Sequence, residues 1–154
     1  MKASELFEAI KDDLSTISEY ISLMKCIHET NSKDSATQSS ILVEYDYAAY
    51  REIMNEACPN PDIVIESDRV EEFREALNRY FDEYAPGETD LRCYVTNISL
   101  YLVFIAKKPL HPPGIDVPDL KVIKGEDGHY YCSRKGKIFD GEPTLCRYCV
   151  CRPI

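Results

Sequence analysis

The sequence predicts a mainly α protein: an acidic helical bundle of about four helices over residues 1–106, then a tail over 107–154 packed on it. Three observations predict it. Apolar residues recur at steps of three and four as far as Ala106, the seam of helices packed on one another. Proline and glycine crowd the chain after Lys108, where no long helix persists. Four of the seven cysteines fall between Cys132 and Cys151.

Each element follows from its own pattern. Phe7, Ile10, Leu14, Ile17, Ile21, Met24 and His28 form one stripe, which predicts a single long first helix with Ser4 as its cap. His28 reads as a partly buried residue at the stripe's edge, and Thr30–Ser35 as a loop. A second helix spans about 38–57 on Leu42, Tyr45, Ala49, Ile53 and Ala57, and Cys58-Pro59-Asn60-Pro61 stops it. Asp68 and Glu71 resemble a capping box for a third helix, carried by Val70, Phe73, Leu77, Tyr80, Phe81 and Tyr84 and ended by Pro86-Gly87. The fourth begins near Thr89. Its stretch Ile98–Ala106 is apolar all round, which suits a buried strand or a central helix; the pattern reaching back to Leu91 favours the helix. In the tail, Leu120–Ile123 and His129–Cys132 flank Gly125-Glu126-Asp127-Gly128 as a hairpin, and a further turn falls near Gly136. The expected sheet is a hairpin or three-stranded patch within about 119–140.

A chain of 154 residues with 44% hydrophobic and 29% charged residues suits one folding unit. No apolar run approaches the roughly 18 residues of a membrane span. The opening Met1-Lys2-Ala3-Ser4-Glu5 has no apolar signal core, so a cytoplasmic setting is expected. Charge is uneven. Residues 1–90 hold 21 acids against 8 bases, whereas the rest hold 6 acids against 10 bases.

The cysteines carry the candidate chemistry. An odd number without a secretory signal does not suit a disulfide framework. Cys26, Cys58 and Cys93 are scattered and read as small buried apolar residues. Cys132-x13-Cys146-x2-Cys149 has zinc-ribbon-like spacing, and a tail so poor in apolar residues needs a staple. The fourth donor is open between His111, on the stiff His111-Pro112-Pro113 segment, Cys151 and Cys93.

The blocks Lys108–Gly114, Tyr130-Tyr131-Cys132 and Leu145-Cys146-Arg147-Tyr148-Cys149 resemble those of an uncharacterised, methanogen-associated archaeal family of unknown function. The resemblance is specific over about residues 98–150. It implies a mostly helical protein whose tail gathers one histidine and three cysteines, here His111, Cys132, Cys146 and Cys149. This chain departs from the pattern at Ser133, where proline is expected, at Val117-Pro118-Asp119, which lacks glycine, and in the additional thiol of Cys151.

Three functions compete. The first is a structural zinc site in a non-enzymatic protein that acts through a protein partner. The second is an iron–sulfur or redox centre on Cys132, Cys146 and Cys149 with Cys151 or Cys93. The third is nucleic-acid binding by Lys121, Lys124, Arg134, Lys135, Lys137, Arg147 and Arg152, interleaved with Tyr130, Tyr131, Phe139 and Tyr148. Asp140, Glu142 and four other acids of the tail oppose that third reading. The sequence has no GxGxxG, phosphate loop, Gly-x-Ser-x-Gly or helical His/Glu pair, so no enzyme motif is present.

Overall fold

The computed structural model describes residues 1–31, 38–135 and 145–154. The Thr30–Ser35 loop beyond Asn31, the turn near Gly136 and the residues Lys137, Phe139, Asp140 and Glu142 lie outside the described residues. The protein is mostly helical with a small C-terminal sheet, as the residue pattern predicts.

The first stripe makes two helices, α1 (Ala3–Leu14) and α2 (Ser18–Asn31), joined by one 3-10 turn over Ser15–Ile17. The reason is local. Ser15 Oγ and Thr16 Oγ1 donate to the carbonyls of Asp12 and Asp13, each at 2.6 Å, tightening the chain where a continuous helix is predicted. The start of α1 also differs from expectation. Ser4 lies inside the first turn, Lys2 is the N-cap, and its backbone N–H donates to Glu5 Oε2 at 3.1 Å. The exposed backbone donors of a helix start need partners. Here Ala3 N–H reaches Ile63 O at 2.8 Å and Ser4 N–H reaches Pro61 O at 3.0 Å.

The second predicted helix is α3 (Gln38–Asn55) and the third is α4 (Ser67–Tyr84). Glu66 caps α4 without a side-chain bond, so the Asp68–Glu71 box does not form; Asp68 already sits in the first turn. The ambiguous apolar stretch is helical: α5 (Thr89–Leu100) runs on as a π-helical turn over Tyr101–Ala106. Lys107, in a left-handed conformation at φ 55°, ends it. Leu6, Ile10, Ile53, Phe73, Leu77, Ile98 and Leu100 meet at the centre of one core, each at most 1% exposed.

The tail folds into β1 (Asp116–Val117), β2 (Leu120–Lys124), β3 (Tyr130–Cys132) and β4 (Arg152–Pro153), in that spatial order. The β2–β3 hairpin is the predicted one, with Ile123 opposite Tyr131. Its turn needs Gly128, at φ +84°, where a side chain is strained. The outer strands β1 and β4 fall beyond the expected 119–140 range. β4 pairs in parallel with β3, opposing Cys132 to Pro153, because the chain end returns alongside the hairpin. A small second core of Ile115, Leu120, Val122, Cys132 and Cys151 lies beneath this sheet.

Side chains tie the tail to the bundle. Tyr45 Oη on α3 donates to Pro109 O at 2.6 Å, and Glu52 accepts from Tyr101 Oη at 2.9 Å and from Lys108 Nζ at 3.1 Å. Tyr45→Phe is expected to cost about 1–2 kcal/mol by orphaning the carbonyl of buried Pro109. Urea unfolding checks it, and an unchanged midpoint refutes the anchor.

Candidate metal centre

The centre is built where the Leu110–Pro112 segment, the end of β3 and the Cys146–Cys149 turn come together. The turn closes by a Cys149 N–H bond to Cys146 O at 3.2 Å. Lys135 Nζ donates to Cys146 O at 2.6 Å and to Cys149 O at 2.8 Å, placing a positive charge beside the thiols. Between the two cysteines, Tyr148 turns inward. It is 6% exposed, with its ring centroid 4.7 Å from that of Phe73 on α4. Tyr148 therefore anchors the turn in the bundle core, and is not the outward stacking surface that the nucleic-acid reading gave it.

Cys149 Sγ accepts the N–H of Leu110 at 3.4 Å, across 39 residues of sequence. Cys132 Sγ accepts the N–H of Arg134 at 3.4 Å. At Cys149 the backbone donor helps favour thiolate, the form a metal binds. Cys149 and Cys151 share a further hydrogen bond in which Cys151 is the donor. That bond, opposed by burial and aided by Lys135, brings the Cys149 thiol down to about 6. The same bond holds Cys151 far above its ordinary range. Cys132 and Cys151 meet in the small core, with Cys149 packed against it.

The four expected donors are thus placed as follows. Cys132 and Cys149 lie at one end of the sheet, and Cys146 opens the turn that carries Cys149. His111 follows Leu110, whose N–H bonds Cys149. It is half-buried, and burial, then the nearby Arg134 guanidinium, keeps its imidazole below the ordinary range. Among the described residues, no three or more His, Cys, Asp or Glu side chains form a group able to hold a metal ion. Of the alternative donors, Cys151 is beside Cys149. Cys93 stays in the bundle, donating to Asp13 O at 3.6 Å. Cys26 is exposed on α2, contrary to its expected burial, while Cys58 and Cys93 are half-buried. His28 is partly buried as expected, bonded to Glu44 and stacked on Tyr47 at 4.8 Å.

Sequence reasoning missed the lysine that caps the turn and the inward Tyr148. An aromatic residue between two clustered cysteines was the available signal for the second. Arg134 Nε is also committed, to Asp119 O at 3.0 Å, so two bases of the predicted basic patch serve carbonyls of the tail itself. A groove of about 260 Å³ opens next to the turn, lined in part by Ile63, Val64, Arg69, Lys107, Tyr148 and Cys149. Val64 is 76% exposed at its rim. Among the described residues no helix is long and apolar enough to cross a membrane.

The family described as "Uncharacterized protein conserved in archaea (DUF2115)" matches residues 2–154. The UPF0305 protein MJ0646 of Methanocaldococcus jannaschii is 32% identical over 162 residues, covering 100% of this chain and 98% of its own length. A UPF0305 protein of Methanothermobacter thermautotrophicus is 34% identical over 79 residues, which is 51% of this chain and 47% of that protein. The UPF0305 protein MK0666 of Methanopyrus kandleri is 27% identical over 77 residues, 50% of this chain and 54% of that protein. No solved structure matches. With residues 2–154 covered by the archaeal family and its whole length by the Methanocaldococcus relative, the chain belongs to the DUF2115 family.

Proposed function

We propose that this chain is a structural zinc-binding protein that acts through a protein partner, its cysteine-rich tail held to the helical bundle by the metal. The supporting observation is the pair of backbone N–H groups, from Leu110 and Arg134, that already donate to the sulfurs of Cys149 and Cys132. Cys132 and Cys149 are two of the donors, and two of His111, Cys146 and Cys151 complete a tetrahedron. A neutral imidazole at His111 suits a ligand role, since a metal binds the unprotonated nitrogen. When bound, zinc supplies a charge-neutralising cross-link. The chain's own residues do the rest: Lys135 fixes the turn, and Tyr148 seats it against Phe73. The apolar rim at Ile63 and Val64 beside the turn suits contact with a partner.

The test is metal analysis of protein purified without oxygen, with an absorption spectrum after cobalt substitution. About one zinc per chain, with thiolate-to-cobalt charge-transfer bands weakened in Cys149→Ser and unchanged in Cys93→Ser, supports the reading. The closeness of Cys151 to Cys149 favours one alternative, a thiolate-only iron–sulfur site, which iron and sulfide in a brown protein would establish. Chelation is expected to expose the 110–154 segment to limited proteolysis before the bundle is cut. Equal protection with and without chelator counts against a metal staple.

A further inference from the structure

The groove beside the Cys146–Cys149 turn has a strand edge for one wall. Ile65 N–H donates to Met1 O at 2.7 Å, and Ala3 N–H donates to Ile63 O at 2.8 Å. These bonds make Lys2 and Val64 an antiparallel pair. Bonding groups alternate between the two edges of a strand, so Val64 turns its own N–H and C=O away from the N-terminal segment. Among the described residues, neither group of Val64 makes a hydrogen bond. The groove lies on that free side. Its lining takes Ile63, Val64, Ile65 and Glu66 in succession, and none of Met1, Lys2 or Ala3. An open edge of this kind is a template for a further strand.

Charge marks the rest of the groove. Arg69 of α4 and Lys107, just after the π-helical turn, both line it. Arg69 and Arg147 lie over the Tyr148 ring, 5.9 and 5.2 Å from its centroid. Arg69, Lys107 and Arg147 are exposed, and among the described residues none of them has an ion-pair partner. Glu66 is the single acid of the described lining. In a chain of net charge −9, three unpaired bases around one groove reverse the sign locally. Such a patch selects a partner of opposite charge.

We propose that an extended acidic segment of a partner protein docks in this groove as an added strand, pairing its backbone with Val64 and setting carboxylates against Arg69, Lys107 and Arg147. This docking mode rests on the partner-binding reading and gives that partner its chemistry. Main-chain bonds supply affinity in strand addition, and alternate side chains supply specificity. Apolar side chains of the segment seat against Val103 and Phe104 in a space of about 260 Å³. That volume falls short of the roughly 300–1,000 Å³ of a small-molecule site. A second copy of this chain fits poorly. Two-fold antiparallel pairing on Val64 sets Asp62 opposite Glu66 of the copy, and like charges directly opposed are destabilising. A nucleic acid also meets the three bases, but its phosphate oxygens accept and do not donate, which leaves the Val64 carbonyl unpaired.

The test reads fluorescence anisotropy of a dye-bearing, acetylated peptide of alternating glutamate and valine, titrated with the full-length protein at low ionic strength. Metal content is measured on the same sample. Saturable binding is expected, about tenfold or more weaker when lysine replaces glutamate in the peptide. The joint variant Arg69→Gln with Lys107→Gln is expected to lose about tenfold. Val64→Pro removes the free donor and spares the bonds to Met1 and Ala3, so it is expected to lose about fivefold, whereas Val64→Thr stays within about twofold. Should Val64→Pro fail to fold, a peptide methylated on every backbone nitrogen makes the same test from the ligand side, and its binding is expected to be lost. Four results overturn the proposal: no saturable binding to the wild type, equal binding of the lysine peptide, full binding of the methylated peptide, or tighter binding of oligouridylate, which assigns the groove to nucleic acid. A zinc-loaded protein that ignores the peptide overturns this site and leaves the zinc reading standing; peptide binding by protein that holds no metal does the reverse.

Discussion

Phe73→Ala is expected to remove about 3–5 kcal/mol of stability, a large share of the roughly 5–15 kcal/mol that holds a domain folded. Phe73 is 0% exposed on α4, and two parts of the chain rest on it. Phe104, in the π-helical turn, packs edge-on at 6.0 Å, and Tyr148 of the Cys146–Cys149 turn lies at 4.7 Å. The lost ring therefore leaves a cavity in the bundle and removes the seat of the tail. Two readouts separate these effects: the urea midpoint reports the cavity, and proteolysis near residues 145–154 reports the tail. Glu75→Ala, at an exposed position on the opposite face of α4, is the control and is expected to change stability by less than about 0.5 kcal/mol. A loss under about 1 kcal/mol for Phe73→Ala, or unchanged protection of the tail, would refute the shared anchor.

Asp46→Asn is expected to stabilise the protein above neutral pH. The sign follows from the raised carboxyl. Its folded value of about 7 lies above the ordinary value of 3.8, so the fold prefers the protonated acid. The stability tied to that preference is fully present below about pH 4, falls as pH rises, and is gone above about pH 7. Moving a carboxyl that far corresponds to at most about 4 kcal/mol, and solvent reaching a half-buried residue reduces it. The melting temperature of the wild type should therefore fall relative to Asp46→Asn between pH 4 and 7, then run parallel to it. A difference independent of pH would show that Asp46 does not titrate in that interval.

Much of the fold is legible in the residues because periodicity records burial directly. Leu6, Phe7, Ile10 and Leu14 mark the inner face of α1, as Val70, Phe73, Leu77 and Phe81 do for α4. Breaks in a stripe are harder to read. Phe7 to His28 keeps its spacing through Ser15–Ile17, yet two hydroxyl-to-carbonyl bonds tighten the backbone there without disturbing the apolar pattern. Helix caps are similarly obscured when distant backbone supplies the partner, as Pro61 and Ile63 do for α1.

For the site, composition and spacing single out Cys132, Cys146, Cys149 and His111 as residues of interest, since thiol and imidazole chemistry is intrinsic to the side chain. Their relations are not. The bond from Leu110 N–H to Cys149 Sγ spans 39 residues, and Lys135 reaches the turn across a segment with no local pattern to announce it. Asp46 shows the same division. Its place on the stripe with Ala49 and Ile53 is written in the order of residues, but the burial that raises its carboxyl comes from the elements packed around α3. The sequence by itself determined the helical bundle, the turn-rich tail and the family. Tertiary structure decided which thiols face one another, that Tyr148 turns inward, and that burial raises the Asp46 carboxyl. The physical reason is that helical and turn preferences act over a few residues, whereas burial, hydrogen bonding and charge depend on what distant segments bring to the same place.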